Sequence, residues 1–162
     1  MDTFDCFEEV SNCRYLFLEN LSEPRANALK IEIADGRVSH VSVPVEIAGQ
    51  SLGESRPVHT DESCERFELT WNSYVLYQVT DESYGKKEQS EIEISGESAS
   101  IYQSSSLLEY VLRSTNASHQ HPGKLTHYRM ICSDHVIDVI STERPDCVRI
   151  SQELKAEINL ES

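Results

Sequence analysis

Histidines and carboxylates concentrate in one stretch of this chain, between residues 119 and 138. Imidazole nitrogens and carboxylate oxygens are common ligands of zinc and other divalent metals. The spacing matches no metal motif such as H-E-x-x-H, so we expect a solvated pair of loop histidines and two hairpin side chains rather than a metal site, and we predict no cofactor. The residues concerned are His119, His121, His127, His135, Asp134 and Asp138.

The same stretch contains a cysteine that could serve as a nucleophile. Cys132 would lie opposite His135 in a hairpin, with Asp138 nearby in sequence, and nucleophilic catalysis requires such a set of nucleophile, base and orienting acid. Catalytic cysteines usually lie at helix N-termini or in electropositive surroundings, and neither is evident here. We therefore expect a small buried side chain beside a turn histidine.

The charge pattern singles out the same region. Between Glu109 and Asp134 there is no acidic residue, whereas that window contains Arg113, Lys124, Arg129 and three histidines. A neutral to basic patch on an acidic protein could bind an anionic ligand or the acidic surface of a second copy. The candidate patch comprises His119, His121, Lys124, His127, Arg129, His135 and Asp138.

A hairpin and a helix must position these side chains. Residues 125–132 and 135–142 alternate around Ser133-Asp134, and a two-residue turn there sets Arg129 opposite Asp138 as a cross-strand ion pair. We predict a helix over 105–114, where Ser106 and Glu109 form an S-x-x-E capping box. The predicted core side of the hairpin is Tyr128, Met130, Cys132, His135, Ile137 and Val139.

The rest of the chain also favours strands. Alternation over 67–79 predicts one long strand with a bend near Asn72-Ser73, and the runs 29–33 and 41–47 predict a hairpin turning at Asp35-Gly36. Residues 49–65 predict a long loop, and 153–160 a short helix or strand. We predict a single domain, 1–162, of the α+β class, dominated by antiparallel β-strands in a sandwich or barrel-like sheet, with one short helix near 105–114.

Composition excludes several classes of protein. The 162 residues carry a formal charge of −14, which argues against phosphate-neutralising nucleic-acid binders and against docking on anionic membranes. The start of the chain is acidic and no run is apolar enough for a membrane span, so we expect a cytoplasmic bacterial protein. Five cysteines without a C-x-x-C pair predict reduced thiols.

Three stretches together resemble a family of small uncharacterised bacterial proteins that share a long aromatic strand, a short helix and a closing hairpin. The resemblance covers roughly residues 67–146 and implies a single-domain fold, with no activity to transfer. The stretches are Phe67-Glu68-Leu69-Thr70-Trp71-Asn72-Ser73-Tyr74 with Glu82-Ser83-Tyr84, Ile101-Tyr102-Gln103-Ser104 with the helix at 107–111, and His127-Tyr128 with Ile137-Asp138-Val139-Ile140-Ser141.

Two function classes remain. The strong negative charge favours an interaction protein, such as an immunity or inhibitor protein that binds a basic partner, because complementary fields speed encounter. The alternative is a small ligand-binding or metal-binding protein, or a hydrolase-like enzyme, with its site around the histidines at 119–138. We expect the interaction protein rather than the enzyme, and association with a second copy is compatible with both.

Overall fold

The structure is a computed structural model that describes residues 6–88 and 92–150, with the backbone alone at 92–95. The element predicted at 153–160 lies outside the described residues. Helices are α1 (Cys6–Asn12), a 3-10 turn (Glu82–Tyr84) and α2 (Ser106–Ser114). Strands in chain order are β1 (Leu16–Ser22), β2 (Leu29–Asp35), β3 (Arg37–Val38), β4 (Val43–Ile47), β5 (Gln50–Ser55), β6 (Val58–His59), β7 (Arg66–Trp71), β8 (Leu76–Asp81), β9 (Ile92–Ser95), β10 (Ala99–Tyr102), β11 (Thr126–Ile131), β12 (His135–Ser141) and β13 (Asp146–Ile150).

Two antiparallel sheets make up the body of the fold. One has the strand order β1-β2-β7-β13 and the other β8-β12-β11-β10-β9. Their facing side chains form one hydrophobic core, closed at one side by α1, with Trp71, Tyr128 and Ile137 all fully buried. The predicted α+β class dominated by antiparallel strands is therefore confirmed. The sheets stack as a sandwich, and the described strands form no closed barrel.

The closing hairpin has the predicted register. β11 pairs with β12 so that Arg129 lies opposite Asp138 and Met130 opposite Ile137. The predicted core side is buried, except that His135, at the start of β12, is only partly covered. A two-residue turn leaves a hairpin little choice of register, which is why local sequence sufficed here.

The predicted long strand over 67–79 is two strands in different sheets. The expected bend falls at Asn72-Ser73, between β7 and β8, and there the chain crosses from the four-stranded to the five-stranded sheet. Ser141 Oγ donates to the carbonyl of Ser73 at 2.9 Å, which ties the crossing to the end of β12. Alternation continues through the bend because both halves contribute one face to the same core.

The predicted hairpin of 29–33 with 41–47 is wrong. β2 pairs with β1 and β7, whereas β4 pairs with β5, which arises inside the stretch predicted as a loop. Residues 37–59 instead form an arm of two short ribbons, β3 with β6 and β4 with β5. The alternating pattern of 41–47 is real, but it does not specify the partner strand.

The sequence also missed α1 and a disulfide. Cys6 on α1 is bonded to Cys147 on β13, across 141 positions of sequence, which contradicts the prediction that all thiols are reduced. Cys13, Cys64 and Cys132 are free and buried. The bond holds the helix against an outer strand of the four-stranded sheet.

Candidate functional site

The structure divides the predicted patch. His127, Arg129 and Asp138 meet on the outer face of the five-stranded sheet, where α2 covers part of it. His119 lines a small neighbouring cavity, and His121 and Lys124 are exposed in the loop after α2. His135 belongs to the opposite, core-facing side of β12. No group of three or more metal-ligating side chains occurs within residues 6–88 and 92–150.

Asp138 is the centre of a buried network. Its side chain is completely buried, and Oδ1 accepts hydrogen bonds from His127 Nε2 at 2.8 Å and from Arg129 Nε at 2.7 Å. Oδ2 accepts from Arg129 Nη2 at 3.2 Å and from Gln78 Nε2 at 3.0 Å. Neighbouring strands β8, β11 and β12 thus each supply part of the cluster.

Hydrogen bonding keeps this carboxylate ionised. Burial by itself would raise the pKa of Asp138, but the hydrogen bonds from His127, Arg129 and Gln78, together with the positive charge of Arg129, hold that pKa well below its usual range. The predicted cross-strand ion pair is therefore correct in its partners. The pair is buried, with side-chain exposures of 13% for Arg129 and 0% for Asp138.

His127 connects the carboxylate to the start of α2. Its Nδ1 lies 2.8 Å from Ser105 Oγ, and its ring stacks at a tilt on Tyr102, with centroids 5.1 Å apart. Because ionised Asp138 accepts at Nε2, we assign the ring proton to Nε2, so that Nδ1 accepts the hydroxyl proton of Ser105.

Ser105 begins α2, where the sequence had pointed to Ser106. Its Oγ accepts a hydrogen bond from the backbone N–H of Leu108 at 3.1 Å, which is the usual bond of an N-terminal capping serine. Three consecutive serines, 104–106, could each have been the cap. Contact with His127, 22 residues away, is what distinguishes Ser105, and no local pattern carries that signal.

A cavity of about 130 Å³ opens beside Ser105. Leu108, Leu112 and Leu125 line it together with polar residues that include Glu109 and His119. Ser105, which is itself 2% exposed, is one of the residues that line this cavity.

Cys132 has the surroundings of a small buried side chain, as the sequence led us to expect, and not those of a nucleophile. Cys132 is buried in the core, and burial, with a smaller contribution from Asp134, raises the pKa of its thiol to about 12. A thiolate is therefore strongly disfavoured. Asp138 lies on the other face of the sheet, bound to His127, so the three residues grouped by sequence do not meet.

A second unusual surface is the arm, residues 37–59. Its tip turns at Ala48 and Gly49, both with positive φ, as the tight two-residue hairpin turn requires. The register of β4 and β5 places four apolar residues on one side, together with Gln50 and Ser55, and places Pro44, Glu46, Ser51 and Glu54 on the other. Three of the apolar ones are largely exposed: Val43 at 42%, Ile47 at 62% and Leu52 at 63%; the fourth is Val45.

The arm leaves the body beside an acidic rim, which we define as Asp81, Glu82, Glu97 and Asp134. All four are exposed; Asp81 ends β8 and the other three lie just beyond or between strands of the five-stranded sheet. Glu82 N–H donates to the carbonyl of Asp134 at 3.2 Å, and Asp81 lies opposite His135 in the register of β8 with β12. Arg14 is the cation that shares a shallow cavity with Glu82 and Glu97.

Backbone contacts place the arm and the rim at the same end of the sandwich. The carbonyl of Tyr15 accepts from Gly36 N–H at the base of the arm, and the next carbonyl, of Leu16, accepts from Ser133 N–H in the β11–β12 turn, both at 2.7 Å. Gly36 lies against the Phe17 ring and Val58, where a Cβ would be 2.4 Å from a ring carbon. The close approach fixes where the arm departs.

Comparisons with known proteins add no identification. The chain matches no protein-family model, no curated protein and no solved structure. Among the residues that the structure describes, no helix has the length and apolar character needed to cross a membrane.

Proposed function

We propose that this protein is an acidic interaction protein that binds a basic protein partner through the arm and the adjoining acidic rim. The observation that carries the proposal is the largely apolar, exposed face of the arm, on an arm whose base leaves the body near a group of exposed carboxylates. An isolated two-stranded hairpin is at best marginally stable in water, so an exposed apolar face on one favours a partner that covers it.

Charge indicates the chemistry of that partner. The whole chain carries −14, whereas the arm is neutral, since Arg37 and Arg56 balance Glu46 and Glu54. A second copy would bring another strongly acidic rim to the same end, and like charges repel. A partner with an apolar patch bordered by lysines or arginines would instead complement both the arm and the rim.

The proposal combines two contributions with different effects. The apolar face of the arm supplies buried area, at about 25 cal/mol per Å² removed from water. The rim increases the rate of encounter and selects basic partners, and its effect is screened by salt, with a Debye length of about 8 Å at physiological ionic strength. Binding should therefore weaken with salt but persist in part.

The test compares variants in affinity capture from the native bacterium, followed by measurement of binding with the purified retained protein. Ile47→Ser combined with Leu52→Ser removes two exposed apolar side chains from the arm. Tyr110→Ser, on α2 and 52% exposed, removes a matched apolar group elsewhere. We expect a basic protein to be retained by the wild type and by Tyr110→Ser, with at least tenfold weaker binding to the arm variant.

The contribution of the rim is tested by charge removal. Glu82→Gln with Asp134→Asn should reduce the rate of association and flatten its salt dependence, whereas Glu109→Gln with Asp146→Asn removes the same charge away from the rim. Equal binding by wild type and arm variant would refute the proposal. The proposal would also be refuted if the isolated wild type sedimented as a dimer and the arm variant did not. A second copy of the chain would then be what covers the arm.

Cytoplasmic location stays part of the proposal and has its own test. Disulfides are typical of oxidising compartments, and Cys6 and Cys147 are bonded in the structure. Alkylation of the protein in intact native cells, before extraction, counts its thiols. Five free thiols support the cytoplasm, with the pair held reduced there, and three indicate an oxidising compartment.

A further inference from the structure

Three side chains from three different elements are linked by hydrogen bonds at the start of α2. Ser105 Oγ is 2.8 Å from His127 Nδ1, and His127 Nε2 is 2.8 Å from Asp138 Oδ1. The serine caps the helix, the histidine lies on β11 and the aspartate on β12. Serine hydrolases are recognised by this order of contacts, a hydroxyl, an imidazole and a carboxylate, and not by position in sequence.

The network leaves Nδ1 of His127 able to accept a proton from Ser105, as catalysis by a serine nucleophile requires. Ionised Asp138 accepts the Nε2 proton, which leaves Nδ1 unprotonated toward the hydroxyl of Ser105. Asp138 is itself held by Arg129 and Gln78, so the ring has one orientation. The ring nitrogens have exchanged the places that they take in the serine proteases, but either nitrogen can accept a proton from a hydroxyl.

The surroundings of Ser105 supply the remaining parts. Its Oγ lies at the positive end of a nine-residue helix, where the first N–H groups have no carbonyl one turn earlier to bind and negative charge is stabilised. Ser105 also borders the cavity of about 130 Å³, whose lining includes Leu108, Leu112 and Leu125. That volume is below the about 300–1,000 Å³ typical of sites for drug-sized ligands, so it suits a short acyl chain.

We propose that Ser105 is the nucleophile of a hydrolytic site for small carboxylic esters, with His127 as its general base and Asp138 as a positioning residue. Ser105 Oγ bonds to the ester carbonyl carbon while its proton passes to His127 Nδ1. The carbon–oxygen bond to the alcohol then breaks, and the departing oxygen takes that proton. Water, deprotonated by His127, cleaves the acyl–serine bond to release the acid and restore Ser105. This activity is independent of the binding function proposed above.

The first experiment uses a fluorophosphonate, in which Oγ displaces fluoride from phosphorus and His127 takes the hydroxyl proton. The full wild-type chain is incubated with excess reagent, and the adduct is counted by intact mass and located by peptide mass spectrometry. We expect one adduct per chain, on Ser105, and equal loss of p-nitrophenyl acetate hydrolysis as labelling proceeds. Absence of an adduct at Ser105 in the folded wild type would overturn the proposal.

Matched variants separate reactivity from folding. Ser105→Asn removes the hydroxyl but keeps a favourable helix cap, so it should fold and not be labelled. Ser114→Ala, an exposed serine of α2 outside the cavity, should be labelled at the wild-type rate. His127→Gln should slow labelling by about 100-fold or more, as expected for loss of a general base. Labelling of Ser105 at the same rate in His127→Gln would also overturn the proposal.

The role of Asp138 has a spectroscopic test that folding alone would not satisfy. Nitrogen-15 NMR of the histidine rings distinguishes a protonated from an unprotonated ring nitrogen. In the wild type near neutral pH we expect His127 to carry its proton on Nε2 with Nδ1 unprotonated. In Asp138→Asn the amide can donate to Nε2, and the proton should move to Nδ1. A wild-type ring already protonated on Nδ1 would contradict the proposed base.

Discussion

Replacing Arg129 with methionine should destabilise the protein far more than replacing an exposed arginine. The carboxylate of Asp138 is completely buried and the Arg129 side chain is only 13% exposed. Arg129→Met keeps most of the aliphatic stem but removes two hydrogen bonds to Asp138, a third to the carbonyl of Lys86, and the neutralising charge. Breaking a buried pair in this way costs about 3–5 kcal/mol, because a charge is left buried without its partner.

That magnitude is a large part of the stability of a domain of this size, which is about 5–15 kcal/mol. His127 and Gln78 would still donate to Asp138, so the variant should fold. The remaining carboxylate can also take up a proton, which limits the loss. The double variant Arg129→Met with Asp138→Asn should therefore recover part of the lost free energy of unfolding.

The matched control is Arg149→Met. Arg149 contacts Glu9 at 2.6 Å and Glu65 at 3.1 Å, but its side chain is 55% exposed. Exposed pairs contribute only about 0–1 kcal/mol, so the control should lose little.

Urea unfolding at neutral pH measures these differences. Trp71, the one tryptophan of the chain, is fully buried and reports the transition by fluorescence. A loss below about 1 kcal/mol in Arg129→Met, similar to that in Arg149→Met, would show that the pair is not a buried determinant of stability. Failure of the double variant to recover any stability would refute the assignment of the loss to the unpaired carboxylate.

Three further predictions follow from the same structure. Because the fold lowers the pKa of Asp138, its contribution to stability is complete above about pH 5, begins to fall near the unfolded value of about 4 and is lost as the pH falls through the lower folded pKa. The stability gap between wild type and Arg129→Met should therefore be smaller at pH 3 than at pH 7, and a constant gap would contradict this. Cys6→Ser should lower the free energy of unfolding by about 2–5 kcal/mol in air-oxidised protein, and the wild type should show three thiols in denaturant, not five. Gly96→Ala places a Cβ 2.2 Å from the carbonyl oxygen of Ser11, so it should cost about 1–3 kcal/mol or more, and an unchanged Tm would exclude that clash.

Local signals predicted the closing hairpin and α2 well. The turn at Ser133-Asp134 determines the pairing of β11 with β12, and the apolar stripe of α2 is continuous, with Leu108 and Val111 buried against Ile140. Both elements depend on residues close in sequence, so one pattern defines both the element and its face.

Pairings between distant strands could not be predicted in this way. β2 pairs with β7 and β12 with β8, and alternation in one strand is the same for any antiparallel partner. The arm was missed because alternation over 41–47 normally indicates a strand with one buried face, whereas here that face is exposed. The disulfide depends on the docking of α1 beside β13, which no spacing of cysteines reveals.

The buried network accounts for the fixed geometry of the site better than it accounts for the stability of the fold. Replacing a buried ion pair with well-packed apolar residues is often neutral or stabilising, so burial alone does not account for these charges. Asp138 receives hydrogen bonds from β8 and β11, and through His127 it reaches the cap of α2. Apolar contacts between α2 and Ile140 tolerate small shifts, whereas hydrogen bonds at 2.8 Å do not. We infer that the network sets the position of Ser105 over the sheet, so a loss of alignment there should be detectable in Ser105 reactivity before it is detectable in the fold.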